Sequence, residues 1–336
     1  MRTFLAAACW MMVAAASACA LLAQEPAHDR VAKIVAPLVD EQTMAVVHAN
    51  LMAFDMATTI DLVARGLEWP EGVRDRLQVQ FAPIQVVTQG LPETAAVDAI
   101  LVISFADLAQ LPFFLVLPVD KTTPAKAIAL EARRSIGDSW RREVITEEIG
   151  ETLVTGAPAT IERLKKAKPV ARPEIAAAFQ AAGQSGLQFA IVPSAAMRKL
   201  AETLAPKLPE RLGGGSTKAL TQGIVWAAVG IDLPPKAIAV RVVLQSADAE
   251  AATLVEAEIR KLFAAIGEFP QFKEAVPQFD ELSKRLVPTA SGDRLTLELT
   301  EENGGLDALG AILPTFTRML SGTLAGARRE APKEKE

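Results

Sequence analysis

Two apolar runs, Asp98 to Phe105 and Phe113 to Val119, are separated only by Ala106-Asp107-Leu108-Ala109-Gln110-Leu111-Pro112. A parallel pair of strands needs a crossover of about a dozen residues or more, so a connection this short forces an antiparallel hairpin. The constraint recurs along the chain. Arg142 to Glu147 and Thr152 to Thr155 turn near Gly150, and Ile224 to Ile231 is followed closely by Ala237 to Gln245. Arg285 to Pro288 and Arg294 to Thr300 turn around Ser291-Gly292-Asp293. Where hairpins dominate the pairings, the sheet is mainly antiparallel.

Helical periodicity fills the intervals. A first strand, Thr43 to Ala49, precedes helices over Thr58 to Gly66 and Glu71 to Gln89, the second with Val73, Leu77, Phe81 and Ile84 on one side and Pro83 as a kink. Pro124 and Pro158 open two more helices. The same order then returns: strand Leu187 to Val192, helix Ala195 to Leu204, hairpin, long helix Ala247 to Ile266, hairpin, and a closing helix Leu306 to Leu324 interrupted by Pro314. An added helix, Phe272 to Leu286, has no counterpart in the first half.

Short local matches follow that order. Ala45-Val46-Val47 with Met52 aligns with Ala190-Ile191-Val192 with Met197, Asp107-Leu108 with Asp232-Leu233, and Gly150-Glu151-x-Leu153 with Gly292-Asp293-x-Leu295. The expected architecture is α+β: two similar units, each a mainly antiparallel sheet with helices on one face. The units are residues 41–168 and 187–326. An unstructured lead-in over 24–40 precedes them. A linker over 169–186, with Pro169, Pro173, Gly183 and Gly186, joins them through a short bridging helix, Glu174 to Ala182. The charged tail, 327–336, is expected to be disordered. Two such units meeting at a pseudo-two-fold axis are expected to leave a groove.

Residues 1–23 read as a secretory signal: Arg2, then an apolar stretch from Phe4 to Ala20, with no further charge until Glu25. Cleavage after Ala20 leaves Leu21 first; cleavage after Ala23 leaves Gln24-Glu25-Pro26. A third route is lipidation of Cys19, since Ala16-Ser17-Ala18-Cys19 is close to a lipoprotein box. Both cysteines, Cys9 and Cys19, lie in the signal, so the remainder is expected to hold no disulfide, thiolate metal site or cysteine nucleophile. That remainder, about 310 residues, is long enough to be stabilised by burial alone. An exported chain without disulfides fits a bacterial periplasm or envelope. Its net charge of −5 argues against nucleic acid as a partner, and membrane contact is expected only if Cys19 is lipidated.

The inventory for catalysis is thin. Of two histidines, His28 lies in the lead-in and His48 in the first strand, where a hydrogen-bonded structural role is expected; two cannot supply a His-rich zinc site. Gly183-Gln184-Ser185-Gly186 breaks the G-x-S-x-G pattern at Leu187. Gly213-Gly214-Gly215-Ser216-Thr217-Lys218 has its lysine after the Ser-Thr pair and no strand before it, so it reads as a mobile loop and not a phosphate cradle. Paired carboxylates around Glu147, Glu148 and Glu151, with Glu301 and Glu302, are the remaining option. Tyrosine is absent, which weakens a sugar-stacking cleft, and Trp69, Trp140 and Trp226 are dispersed, with Trp226 expected in the core. Asp107 and Asp232 are expected to cap turns.

This organisation resembles that of uncharacterised exported bacterial proteins with a duplicated α+β unit. The resemblance covers most of the chain after the signal and rests on architecture, so it transfers no functional residue. The repeat architecture and the thin catalytic inventory together lead to the expectation of an exported, non-enzymatic protein that binds a small apolar ligand or an envelope partner, or serves structurally. The alternative is a metal-independent hydrolase using paired carboxylates. No catalytic residue, metal ligand or cofactor is expected, and no binding residue is singled out.

Overall fold

The computed structural model describes residues 27–53, 55–66, 71–89, 97–119 and 124–315. The signal with Cys9 and Cys19, Trp69 and the 327–336 tail lie outside the described residues. Ten strands run as β1 (Thr43–Asn50), β2 (Asp98–Ser104), β3 (Phe113–Pro118), β4 (Ile145–Ile149), β5 (Thr152–Gly156), β6 (Leu187–Ile191), β7 (Ile224–Asp232), β8 (Ala239–Ser246), β9 (Thr289–Ser291) and β10 (Arg294–Thr300). Every pairing among them is antiparallel. The hairpins that the short connections demand are present as β2–β3, β4–β5, β7–β8 and β9–β10, but the last takes its first strand from Thr289–Ser291 and not from Arg285 to Pro288, which form a turn before it.

The strands expected in two sheets form one. Its order is β4-β5-β3-β2-β1-β6-β7-β8-β10-β9. The join is β1 against β6, from Ala45 opposite Ile191 to Ala49 opposite Leu187. Pairing these two strands removes two open edges whose unpaired amides and carbonyls would otherwise face water. Outward from the join the order is β1-β2-β3-β5-β4 on one side and β6-β7-β8-β10-β9 on the other.

Helices, expected on one face, cover both. The cause is visible on β3, where Phe114 and Val116 enter one core while Leu115 and Leu117 enter another. Strands apolar on alternate and intervening positions need cover on both sides. The first face is closed by α1 (Ala27–Val35), α5 (Pro158–Lys166) and α6 (Pro173–Ala182), whose Val31, Val35, Ile161, Ile175 and Phe179 pack on Val46, Ile100, Phe114 and Ala190. We call it the closed face. Helix α1 falls in the lead-in expected to be unstructured. Its Val31 and Val35, one turn apart, are fully buried, and that burial holds the helix. The expected bridging helix is α6, and it lies in this core.

Over the other face, α4 (Ala125–Trp140) packs Ile128 and Ala129 on Leu117 and Leu153. Helices α2 (Met56–Gly66) and α3 (Glu71–Gln89) belong to the same half. In the second half this face meets α7 (Ala195–Leu204), α8 (Lys218–Gly223), α9 (Ala249–Gly267), α10 (Pro270–Ala275), α11 (Phe279–Lys284) and α12, described over residues 305–315. The single added helix expected over Phe272 to Leu286 is split into α10 and α11, because Pro277 lacks the amide hydrogen a continuous helix needs. Among the described residues no helix is long and apolar enough to cross a membrane.

Candidate functional site

On the second face, at the end of the β1–β6 join, a groove of about 450 Å³ stays open. Its floor is Met44 of β1, Ile191 of β6, and Ile224 and Ala227 of β7. One wall is α7, through Met197, Leu200, Ala201 and Leu204; the other is α8, through Leu220 and Thr221. Phe105, Pro193 and Arg198 complete the lining. Among the described residues no carboxylate takes part. Leu204 is 76 % exposed, Ile191 45 %, Phe105 42 % and Leu200 41 %. Large apolar side chains are thus gathered, partly exposed, on one concave surface.

The local sequence explains why the groove exists. Ser194 caps α7 by accepting from the Met197 amide at 3.3 Å. Met197, Leu200, Ala201 and Leu204 follow at i, i+3, i+4 and i+7, the spacing of an apolar stripe. Yet α7 contains no fully buried residue, and neither does α8. The glycine run returns the chain between them: Gly213 and Gly214 have φ of 98° and 64°, which favours glycine. Lys207 and Ser216 bridge below the turn, and the Gln222 amide donates to Glu202 at 3.1 Å. The run is thus a tight return that sets α8 beside α7.

The opposite face of the same strands holds the histidine. His48 pairs with Gln188 across β1 and β6. Its Nδ1 lies 2.7 Å from Gln188 Oε1 and its Nε2 2.8 Å from Asp98 Oδ1. The Gln188 amide donates to the carbonyls of Phe179 and Gly183, leaving its oxygen to accept from the ring. Asp98 is held on its other oxygen by Arg30 of α1 at 2.6 Å. His48, Asp98 and Gln188 are all almost fully buried, with the Phe179 ring edge-on to the imidazole at 6.3 Å. The expected hydrogen-bonded histidine is present, with partners that sequence reading did not find. Among the described residues no hydroxyl or thiol nucleophile is hydrogen-bonded to it. The cluster ties α1, β2, β1, β6 and α6 together.

The other singled-out residues fall elsewhere. Asp107 is not a turn cap. It is buried and accepts from Thr160 Oγ1 at 3.0 Å and Arg163 Nη2 at 2.6 Å, and Arg163 reaches Asp40 at 2.6 Å as well. Residue 107 lies in a 3₁₀ turn against α5, so its carboxylate meets a guanidinium before it can close its own turn. Asp232 accepts from Ser185 Oγ at 3.5 Å. Trp226 is in the core. Glu147 is engaged by Lys165, and Glu301 and Glu302 lie on an exposed turn. The displaced carboxyl groups all move down: hydrogen bonds from Lys165, Arg260 and Lys284 hold Glu162, Glu256 and Glu281 below the usual range. Among the described residues no three His, Cys, Asp or Glu side chains gather as a metal site. Cys19 lies outside them.

No protein-family model matches the chain, and no curated protein matches it. One solved structure similar to it is the crystal form I structure of TP0453, at 13 % identity over 83 % of this chain and 97 % of that one, with a TM-score of 0.34. That likeness is too weak to assign a fold or a function.

Proposed function

We propose that this chain is an exported, non-enzymatic protein of the bacterial envelope, built from a duplicated α+β unit, that binds a small apolar ligand between α7, α8 and the sheet. The observation that carries the binding is the uncovered stripe of α7. A helix with Met197, Leu200, Ala201 and Leu204 on one side normally buries that side; here it lines an open groove. Each methylene a ligand places there is worth about 0.8 kcal/mol. The matching strand order on either side of the β1–β6 join supports the duplication. The groove takes Met44 and Phe105 from the first unit and its remaining walls from the second.

Calorimetric titration of the full chain with decanol tests the binding. One molecule is expected to bind, and Ala201→Trp, at an exposed position on the groove wall, is expected to weaken it by more than about tenfold, or about 1.4 kcal/mol. No binding by the wild type, or equal binding by the variant, would refute the assignment. Export is tested apart from binding. Cys19→Ser leaves the protein's release from membranes unchanged if the signal is simply cleaved. It frees a membrane-bound protein if Cys19 is lipidated.

A further inference from the structure

Resting on that reading of the groove, we infer that its ligand is a single-chain anionic amphiphile, an alkyl carboxylate whose head group pairs with Arg198. Among the described residues Arg198 is the one charged side chain in the lining. Its Nη1 donates to the carbonyls of Pro193 at 3.0 Å and Val225 at 3.3 Å, which fixes the guanidinium beside the sheet. Among the described residues no carboxylate lies within ion-pair distance of it. Its Nε is buried and has no hydrogen-bond partner. A half-buried cation next to an aliphatic wall, without a carboxylate beside it among the described residues, favours an anionic group in the groove.

Nη1 is spent on the two carbonyls and Nε is buried, so Nη2 is the guanidinium nitrogen left to meet a carboxylate oxygen, with the full positive charge behind it. A cationic head would be repelled, and a neutral one would leave the charge without a counter-ion. The volume, about 450 Å³, lies toward the small end of the range for ligand sites. That size suits one alkyl chain and not two.

The test compares decanoate, decanol and decyltrimethylammonium by titration calorimetry on the full chain, with no variant needed for the first readout. Decanoate is expected to bind tightest and the ammonium weakest. Arg198→Met should then lower the preference for decanoate over decanol by about 10- to 100-fold, the range of one charge-assisted interaction. Arg198→Lys, which keeps the charge on a shorter reach without the planar guanidinium, should fall between. If decanol binds as tightly as decanoate, or Arg198→Met weakens both equally, the head-group assignment fails while the groove reading stands. If neither binds, both fail. Association with vesicles of phosphatidylglycerol without any binding of decanoate would replace the free amphiphile with a membrane surface.

Discussion

Neighbouring residues of β6 meet opposite surroundings. Gln188 and Ala190 point under α1 and α6 and are buried, whereas Phe189 and Ile191 point to the other face and remain partly exposed. Both faces receive a helix with an apolar side. On the closed face, α6 sinks Ile175, Ala178, Phe179 and Ala182 into the core. On the open face, α7 sinks none. The difference lies in what accompanies the helix. The closed face has α1 beside α6 and a polar cluster in which Arg30, Asp98, His48 and Gln188 are joined in one chain of contacts, with Arg30 Nε left without a partner. Among the described residues the open face sets the short helix α8 beside α7. One side of the join is therefore sealed and the other keeps an open apolar groove.

The strongest way to break this contrast is to open the cluster. Asp98→Ala leaves His48 without an acceptor on Nε2 and Arg30 without its anion, and it should cost about 3–5 kcal/mol. Urea unfolding measures it; a loss below about 1 kcal/mol would mean the cluster does not hold the closed face. A smaller effect is expected at Gly230, where an added Cβ would stand 2.1 Å from the Ala182 carbonyl at the end of α6. Gly230→Ala should force that helix end away from β7 at about 1–3 kcal/mol. An unchanged unfolding midpoint would show the contact to be loose.

On the open face the expectation reverses. Leu204→Ser should change stability by less than about 0.5 kcal/mol, because little of that side chain is buried, while weakening the groove's hold on an alkyl chain. A cost above about 2 kcal/mol would show that the stripe is packed after all. The smallest effect concerns pH. Glu256, bonded by Arg260 and by the Ala290 amide, has its carboxyl held below 4.5. A depressed carboxyl stabilises the fold above its unfolded value, and the contribution is lost as pH falls through the folded value. Glu256→Gln should flatten the acid side of the stability profile below about pH 4.5. An unchanged slope would contradict the attribution.

Much of the sheet was legible because short connections leave no alternative to hairpins. The β1–β6 join was not, since nothing local in Thr43 to Ala49 announces a partner beyond residue 186. The same distance hid the site on the closed face. His48 stands out in an apolar strand, but its partners Gln188 and Asp98 are 140 and 50 residues away. Asp107 was misread because its turn position was local and visible, whereas Arg163 approaches from another element. In α7 the stripe itself could be read from spacing. Its lack of cover could not, because cover depends on how far the return through Gly213 and Gly214 lets α8 lie over it.

Methionine methyl resonances test the central claim most directly. Met44 and Met197 line the groove, whereas Met52 packs with Val97 and Leu117 in a separate core. On titrating the full chain with decanoate, the account predicts shifts at Met44 and Met197 that saturate together, with Met52 unmoved. Saturable binding that shifts Met52 and leaves Met44 and Met197 in place would contradict it.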